Sequence, residues 1–298
     1  MMDDDSLDGS NDADSNDTHS DPGAVTRREL GALAMGTGLT AVLPGVAQAA
    51  GVTEREVEIQ TPDGTADAYF ASPASGKHPA VIVWTDFFGL RPAFREMGKR
   101  LAQSGYAVLV PNPFYRQKKA PVVAEGASFQ DPATRETLFG LLRSLTPEYV
   151  VSDAKAFIDF LDKQASVDTK HKLATTGYCM GGPITMRAAA AFPDRIGAAA
   201  SFHGGGLVTD KPESPHLLVP KIKAHYLFAI AENDDQKQPD AKDVLRQAFA
   251  KAKLPAEIEV YAGAMHGWCP PDSQVYNREQ AEKAWNRMLA LFKRALTT

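Results

Sequence analysis

HKLATTGYCMGGPITMRAAAA, residues 171–191, decides how this chain folds. Its first part, His171–Thr175, predicts a strand, and its last, Ile184–Ala191, predicts a helix. Between them, Gly177-x-Cys179-x-Gly181 leaves room only for a sharp turn, the nucleophile-elbow pattern with cysteine in place of serine. A side chain at either flank would collide with the neighbouring strand or helix, which explains the glycines. Such a turn presents the Cys179 thiol at the carboxyl end of the strands. It also aims the N–H of Met180 at the place where an oxyanion would form. The N-terminus of the following helix favours thiolate over thiol. Taken alone, the same residues also suit a small buried cysteine in a Gly-rich turn.

Upstream, Arg55–Gln60 and Ala68–Ala71 pattern as strands around a Pro62-Asp63-Gly64 turn. Ala80–Trp84 is a short apolar run of the buried parallel type, and Tyr106–Val110 is another, stopped by Pro111. Helical spacing marks Arg91–Gln103, with Gly105 just past its end. It returns near Ala133–Leu142 within an otherwise irregular 111–146, and again over Pro147–Lys163. Downstream, Ile196–Ser201, Ala224–Ile230 and Glu257–Tyr261 predict strands, and Ala241–Lys253 and Arg278–Leu296 predict helices. Strands alternating with helices predict an α/β fold, with a mostly parallel central sheet covered on both faces. No linker divides residues 51–298, so one domain is expected there.

A cysteine nucleophile needs a base. Of seven histidines, His266 alone follows the last predicted strand, in the loop Ala262-Gly263-Ala264-Met265-His266-Gly267-Trp268. In the α/β-hydrolase fold the chain order is nucleophile, acid, histidine, with the histidine after the last strand. His266 therefore reads as general base. The acid should follow the preceding strand, where Glu232, Asp234 and Asp235 compete to hold the imidazole tautomer.

With these residues in place, the chain resembles the dienelactone hydrolase family over nearly all of residues 55–296. The resemblance is carried by Gly177-Tyr178-Cys179-Met180-Gly181-Gly182, by Ala231-Glu232-Asn233-Asp234 and by Tyr261-x-Gly263-Ala264-x-His266-Gly267. The stretch LAQSGYAVLVPN at 101–112 is also similar to the family. The resemblance implies an α/β-hydrolase fold and a Cys-His-Asp triad, and it selects Asp234 as the acid. It further implies that Asp86, in Asp86-Phe87-Phe88-Gly89, stands where the family carries an acid touching the resting thiol, usually Glu. The N–H of Phe87 is then the second oxyanion donor. Read from chemistry alone, Asp86 could pair with a thiol or with a nearby Arg. Family members acting on dienelactone hold its carboxylate with an arginine four residues after the histidine. Here that position is Pro270, and no guanidinium fork is replaced by proline. Arg91, His203 and Trp268 are the remaining candidates for the substrate rim, Arg91 as an anion binder or simply a helix-start charge. Cys269, three residues from His266, reads as a small packed apolar residue.

The chain has 298 residues, two cysteines and a net charge of −5, much of it from an acidic first two dozen residues. Two cysteines provide neither a disulfide framework nor zinc spacing, and no basic patch suggests nucleic acid. Residues 1–50 read as a disordered acidic segment followed by a twin-arginine-like signal. Arg27-Arg28 precedes an Ala/Gly/Leu run too short to span a membrane, then Ala47-Gln48-Ala49, with cleavage after Ala49. The expected protein is thus exported, with no stable membrane insertion after cleavage. It cleaves a small ester or lactone through a cysteine thioester, a chemistry that needs no metal or cofactor. A thioesterase, acyltransferase or peptidase on the same residues is the alternative, as is a non-catalytic exported binding protein on this fold.

Overall fold

A computed structural model describes residues 51–296. The readings of residues 1–50 as acidic segment, signal and cleavage site lie outside the described residues. The chain enters through a hairpin, β1 (Val52–Thr61) and β2 (Gly64–Pro73), turning at Pro62-Asp63. Both strands run longer than their apolar patterns suggest, because pairing along ten residues recruits the polar ends. There follow β3 (Ala80–Trp84), α1 (Pro92–Gln103), β4 (Ala107–Pro111), α2 (Pro132–Leu142) and α3 (Pro147–Asp162). The second half comprises β5 (Leu173–Tyr178), α4 (Gly181–Ala191), β6 (Ile196–Phe202), β7 (His225–Ala231), α5 (Glu232–Lys237), α6 (Ala241–Lys251), β8 (Ala256–Tyr261) and α7 (Arg278–Ala295).

The helix starts follow local chemistry. Proline occupies the first turn of α1, α2 and α3, where no N–H is needed. Asp131, Thr146 and Asn277 accept backbone N–H groups at the heads of α2, α3 and α7.

The eight strands form one sheet in the order β1-β2-β4-β3-β5-β6-β7-β8. Pairings are antiparallel from β1 to β4 and parallel from there on. Apolar residues pack against both faces. Phe157 of α3, Ile184 of α4 and Phe249 of α6 line one side, and Phe94 of α1 with Met288 and Phe292 of α7 line the other. Every residue of β3, β4, β5 and β6 is buried, which is why β3 and β4 read as unbroken apolar runs, while β5 and β6 admit only small hydroxyl residues, Thr175, Thr176 and Ser201, among theirs. Among the described residues no helix is long and apolar enough to cross a membrane.

Two local readings need correction. β5 begins at Leu173 rather than His171 and runs to Tyr178, up against the turn. α4 begins at Gly181, three residues before Ile184, because the reversal takes only two residues. The acidic stretch after β7, to which no element was assigned, forms a short helix, its first turn holding Glu232, Asp234 and Asp235 against the positive end of the helix dipole. A 3-10 turn at Pro215–Lys221 was not expected from its two prolines.

Candidate active site

Cys179 sits between β5 and α4 with φ +54°, a left-handed conformation that a side chain rarely adopts. The flanking glycines have steric causes. A Cβ on Gly177 would lie 2.1 Å from the carbonyl oxygen of Gly181, and one on Gly181 would lie 2.7 Å from that of Trp84. Strand, turn and helix are thus packed backbone against backbone, and the turn has one available shape. The Cys179 N–H donates to the carbonyl of Phe202 at 3.0 Å and to Nδ1 of His203 at 3.1 Å.

The histidine arrives from the other end of the sheet. After β8 the chain turns at Gly263, φ +71°, and delivers His266 so that its Nε2 lies 3.1 Å from the Cys179 sulfur. Three consecutive side chains at the head of α5 hold this loop. Glu232 Oε2 accepts the N–H of Gly263 at 3.0 Å, and Asn233 Oδ1 accepts the N–H of His266 at 2.8 Å. Asp234 Oδ2 lies 2.6 Å from His266 Nδ1. Asp235 turns away to Lys242, 2.7 Å. Of the three competing acids only Asp234 meets the imidazole ring. Asn233 was missed from sequence, although an amide beside the acid is a sign of loop tethering. Burial pulls the His266 pKa down, but the hydrogen bonds with Asp234 and Cys179 outweigh it and push the imidazole up to about 10.

Asp86 does not reach the thiol. Its carboxylate is gripped in bidentate fashion by Arg91, at 2.6 and 2.9 Å, and also accepts the N–H of Phe88 at 2.9 Å. The Arg91 guanidinium also holds Asp272 at 2.7 and 3.0 Å, so it clamps the loop after β3 to the loop before α7. This corrects both readings of Arg91. It is neither a surface charge nor free to bind an anionic substrate. A planar guanidinium fork that bonds both carboxylate oxygens is a strong partner for the short Asp86 side chain.

His203 and Trp268 also lie elsewhere than at a substrate rim, since both are fully buried. His203, with φ +39°, lies under the turn, its ring 5.1 Å from those of both His266 and Trp268. Burial, and then the charge on His266, hold its pKa well below the usual imidazole range. It is therefore neutral, with Nδ1 as acceptor and the proton on Nε2. Trp268 stacks on Tyr261 at 5.4 Å and props the histidine loop from beneath. Cys269 is buried, and both cysteines are free thiols. Among the described residues no cluster of His, Cys, Asp and Glu is arranged to hold a metal.

A mostly parallel eight-stranded sheet, a strained cysteine turn after β5, an acid after β7 and a histidine after β8 define an α/β-hydrolase fold. The sequence matches the profile of the Dienelactone hydrolase family over residues 66–296, so the chain belongs to that family and is an enzyme, a hydrolase of the lactone and ester class. A relative from Escherichia coli (strain K12), provisionally named carboxymethylenebutenolidase, is 29% identical over 231 residues, covering 76% of this chain and 81% of its own. A Klebsiella pneumoniae crystal structure, provisionally described as a dienelactone hydrolase, superposes with a TM-score of 0.71 at 28% identity, covering 82% of this chain and 99% of the other. A dienelactone hydrolase-like phosphotriesterase from metagenomic libraries shares the fold, with a TM-score of 0.67 at 23% identity over 82% of this chain and 99% of the other.

Proposed function

We propose that Cys179, His266 and Asp234 act as a nucleophile–base–acid triad that cleaves a small carboxylic ester or lactone through a thioester. One observation carries this reading, the continuous chain of contacts from Sγ to Nε2 at 3.1 Å and from Nδ1 to Asp234 at 2.6 Å. With its pKa raised to about 10, His266 carries both ring protons at neutral pH. The cycle is written from a Cys179 thiolate paired with the His266 imidazolium across their 3.1 Å contact. The sulfur attacks the carbonyl carbon and forms a C–S bond. The carbonyl electrons move onto oxygen, and the N–H groups of Phe87 and Met180 donate hydrogen bonds to the resulting oxyanion. Among the described residues neither N–H donates a hydrogen bond elsewhere. The tetrahedral adduct collapses, the C–O bond breaks, and the departing alkoxide takes the Nε2 proton. Neutral His266 then removes a proton from water, the hydroxide attacks the thioester, and the thiolate leaves as the acid product forms. Asp234 stabilises the imidazolium at both ends of the cycle.

Ester and lactone cleavage fit better than amide cleavage. A thiolate leaves more readily than an amine, so an amide adduct would tend to return to substrate. Intact-mass spectrometry during turnover of p-nitrophenyl acetate tests the reading. One acetyl group should appear on the protein, at Cys179, and should accumulate in His266→Ala, which cannot activate water. An unmodified protein that still turns the ester over, or a Cys179→Ala variant with full activity, would sink it. A parallel panel of lactones, thioesters and peptides separates the hydrolase from the thioesterase and peptidase alternatives.

A further inference from the structure

We propose that the acyl group cleaved by this enzyme is uncharged and aromatic or otherwise apolar, and that Phe129 and Phe139 grip it. The inference rests on the thioester reading, because in a thioester the acyl group stays on the Cys179 sulfur while the alcohol departs. What surrounds Cys179 therefore selects the acyl group.

Cys179 packs against an apolar cluster of its own, separate from the two layers of the sheet. Met180 follows it in the turn, and Leu138 and Leu141 reach in from α2. Phe87, whose N–H is the proposed oxyanion donor, joins the same cluster with its side chain. The outer end of this cluster is built of rings. Phe87 meets Phe129 at 5.7 Å and Phe139 at 5.5 Å, and those two meet each other at 5.8 Å. Phe129 and Phe139 nevertheless remain 38% and 42% exposed. Large aromatic groups held together and left open against the cluster that holds the nucleophile form a surface that an apolar ligand completes.

The charges beside the same loop argue against an anion. Arg91, two residues past Gly89, has Nε, Nη1 and Nη2 all bonded to Asp86 and Asp272. Two carboxylates against one guanidinium leave this group with one net negative charge. A carboxylate on the acyl chain would meet repulsion and would find no free fork there. Proline at 270 adds none on the histidine side.

Four p-nitrophenyl esters of the full chain's substrate type test this: acetate, butyrate, benzoate and hemisuccinate. Hemisuccinate resembles butyrate in length but carries a carboxylate. The expected order of kcat/KM is benzoate and butyrate at least about tenfold above acetate, with hemisuccinate below acetate; single apolar groups in a pocket are worth about that factor. In Phe129→Ala/Phe139→Ala the benzoate value should fall at least about tenfold more than the acetate value, chiefly through KM. Hemisuccinate cleaved as fast as butyrate by the unaltered enzyme would overturn the proposal without any variant. Equal losses on acetate and benzoate in the double variant would do the same. So would an unchanged ester preference accompanied by loss of self-association in sedimentation, which would make the aromatic group a contact between copies. Absence of acylation by all four esters would instead bring down the thioester reading itself, and this proposal with it.

Discussion

At the scale of single residues, the site is a set of strained or shifted groups held by specific bonds. The positive φ of Cys179 costs about 1–3 kcal/mol in isolation. It persists because the turn is fixed on both flanks by backbone contact and because its N–H has two acceptors. His203 supplies one of these, and we expect it to act as a positioning residue. His203→Phe keeps the ring volume but removes the acceptor, whereas His203→Asn keeps an acceptor near the Nδ1 position. The Phe variant should lose on the order of a hundredfold in kcat with little change in KM, the size of effect a small misplacement of a reacting group produces. The Asn variant should recover most of it, and equal losses in the two would deny the role. His266 makes a pH prediction whose sign follows from its partners. Its pKa is pushed up to about 10, so the imidazolium that protonates the leaving group persists through neutral pH and is lost as pH rises toward that value. The rate of acylation should therefore fall on the alkaline side. Asp234→Asn removes a bond that raises the pKa, so the fall should move to lower pH. Pre-steady-state acylation across pH, with NMR titration of the His266 ring, measures both.

At the scale of elements, the site depends on two fasteners between loops distant in sequence. One is the head of α5, where Glu232, Asn233 and Asp234 each hold a different atom of the histidine loop. The other is Arg91, which joins the loop after β3 to the loop before α7 through Asp86 and Asp272. Asp86 is buried, so removing its partner strands a carboxylate away from water. Arg91→Ala should cost about 3 kcal/mol of stability, read from urea unfolding. Adding Asp86→Asn should restore part of the loss, because the stranded charge is then gone. An Arg91→Ala protein as stable as the parent would show that water reaches Asp86 freely. The helices and strands themselves were largely readable in sequence, because buried parallel strands are continuous apolar runs and helix starts carry Pro, Asp, Thr or Asn. The misjudged pieces were short ones. β5 could not be started correctly, since Lys172-Leu173 gives no local sign of where pairing with β6 begins. α5 gives no sign of itself in sequence, since six mostly charged residues have no apolar periodicity.

At the scale of the molecule, one sheet carries every residue assigned to the reaction, and all of them lie within residues 86–266. A chain starting at Gly51 should fold and show the same kcat/KM as the full chain. Loss of activity in it would give residues 1–50 a part in catalysis. The export reading of those residues remains a proposal; N-terminal sequencing of protein recovered outside the cytoplasm should give Ala50 as the first residue.

The order of the chain was enough to determine the α/β-hydrolase fold, the cysteine turn and the placing of His266 after the last strand. These follow from local sterics and from the rule that parallel strands bring successive loops to one edge. Sequence read by itself left three acids competing, and resemblance alone preferred Asp234. The partner of Asp86, the burial of His203 and Trp268 and the aromatic group at Phe87, Phe129 and Phe139 were decided only by tertiary structure. Each depends on which of several chemically suitable groups arrives within about 3–6 Å. That distance is set by packing between segments up to 181 residues apart, which no local pattern encodes.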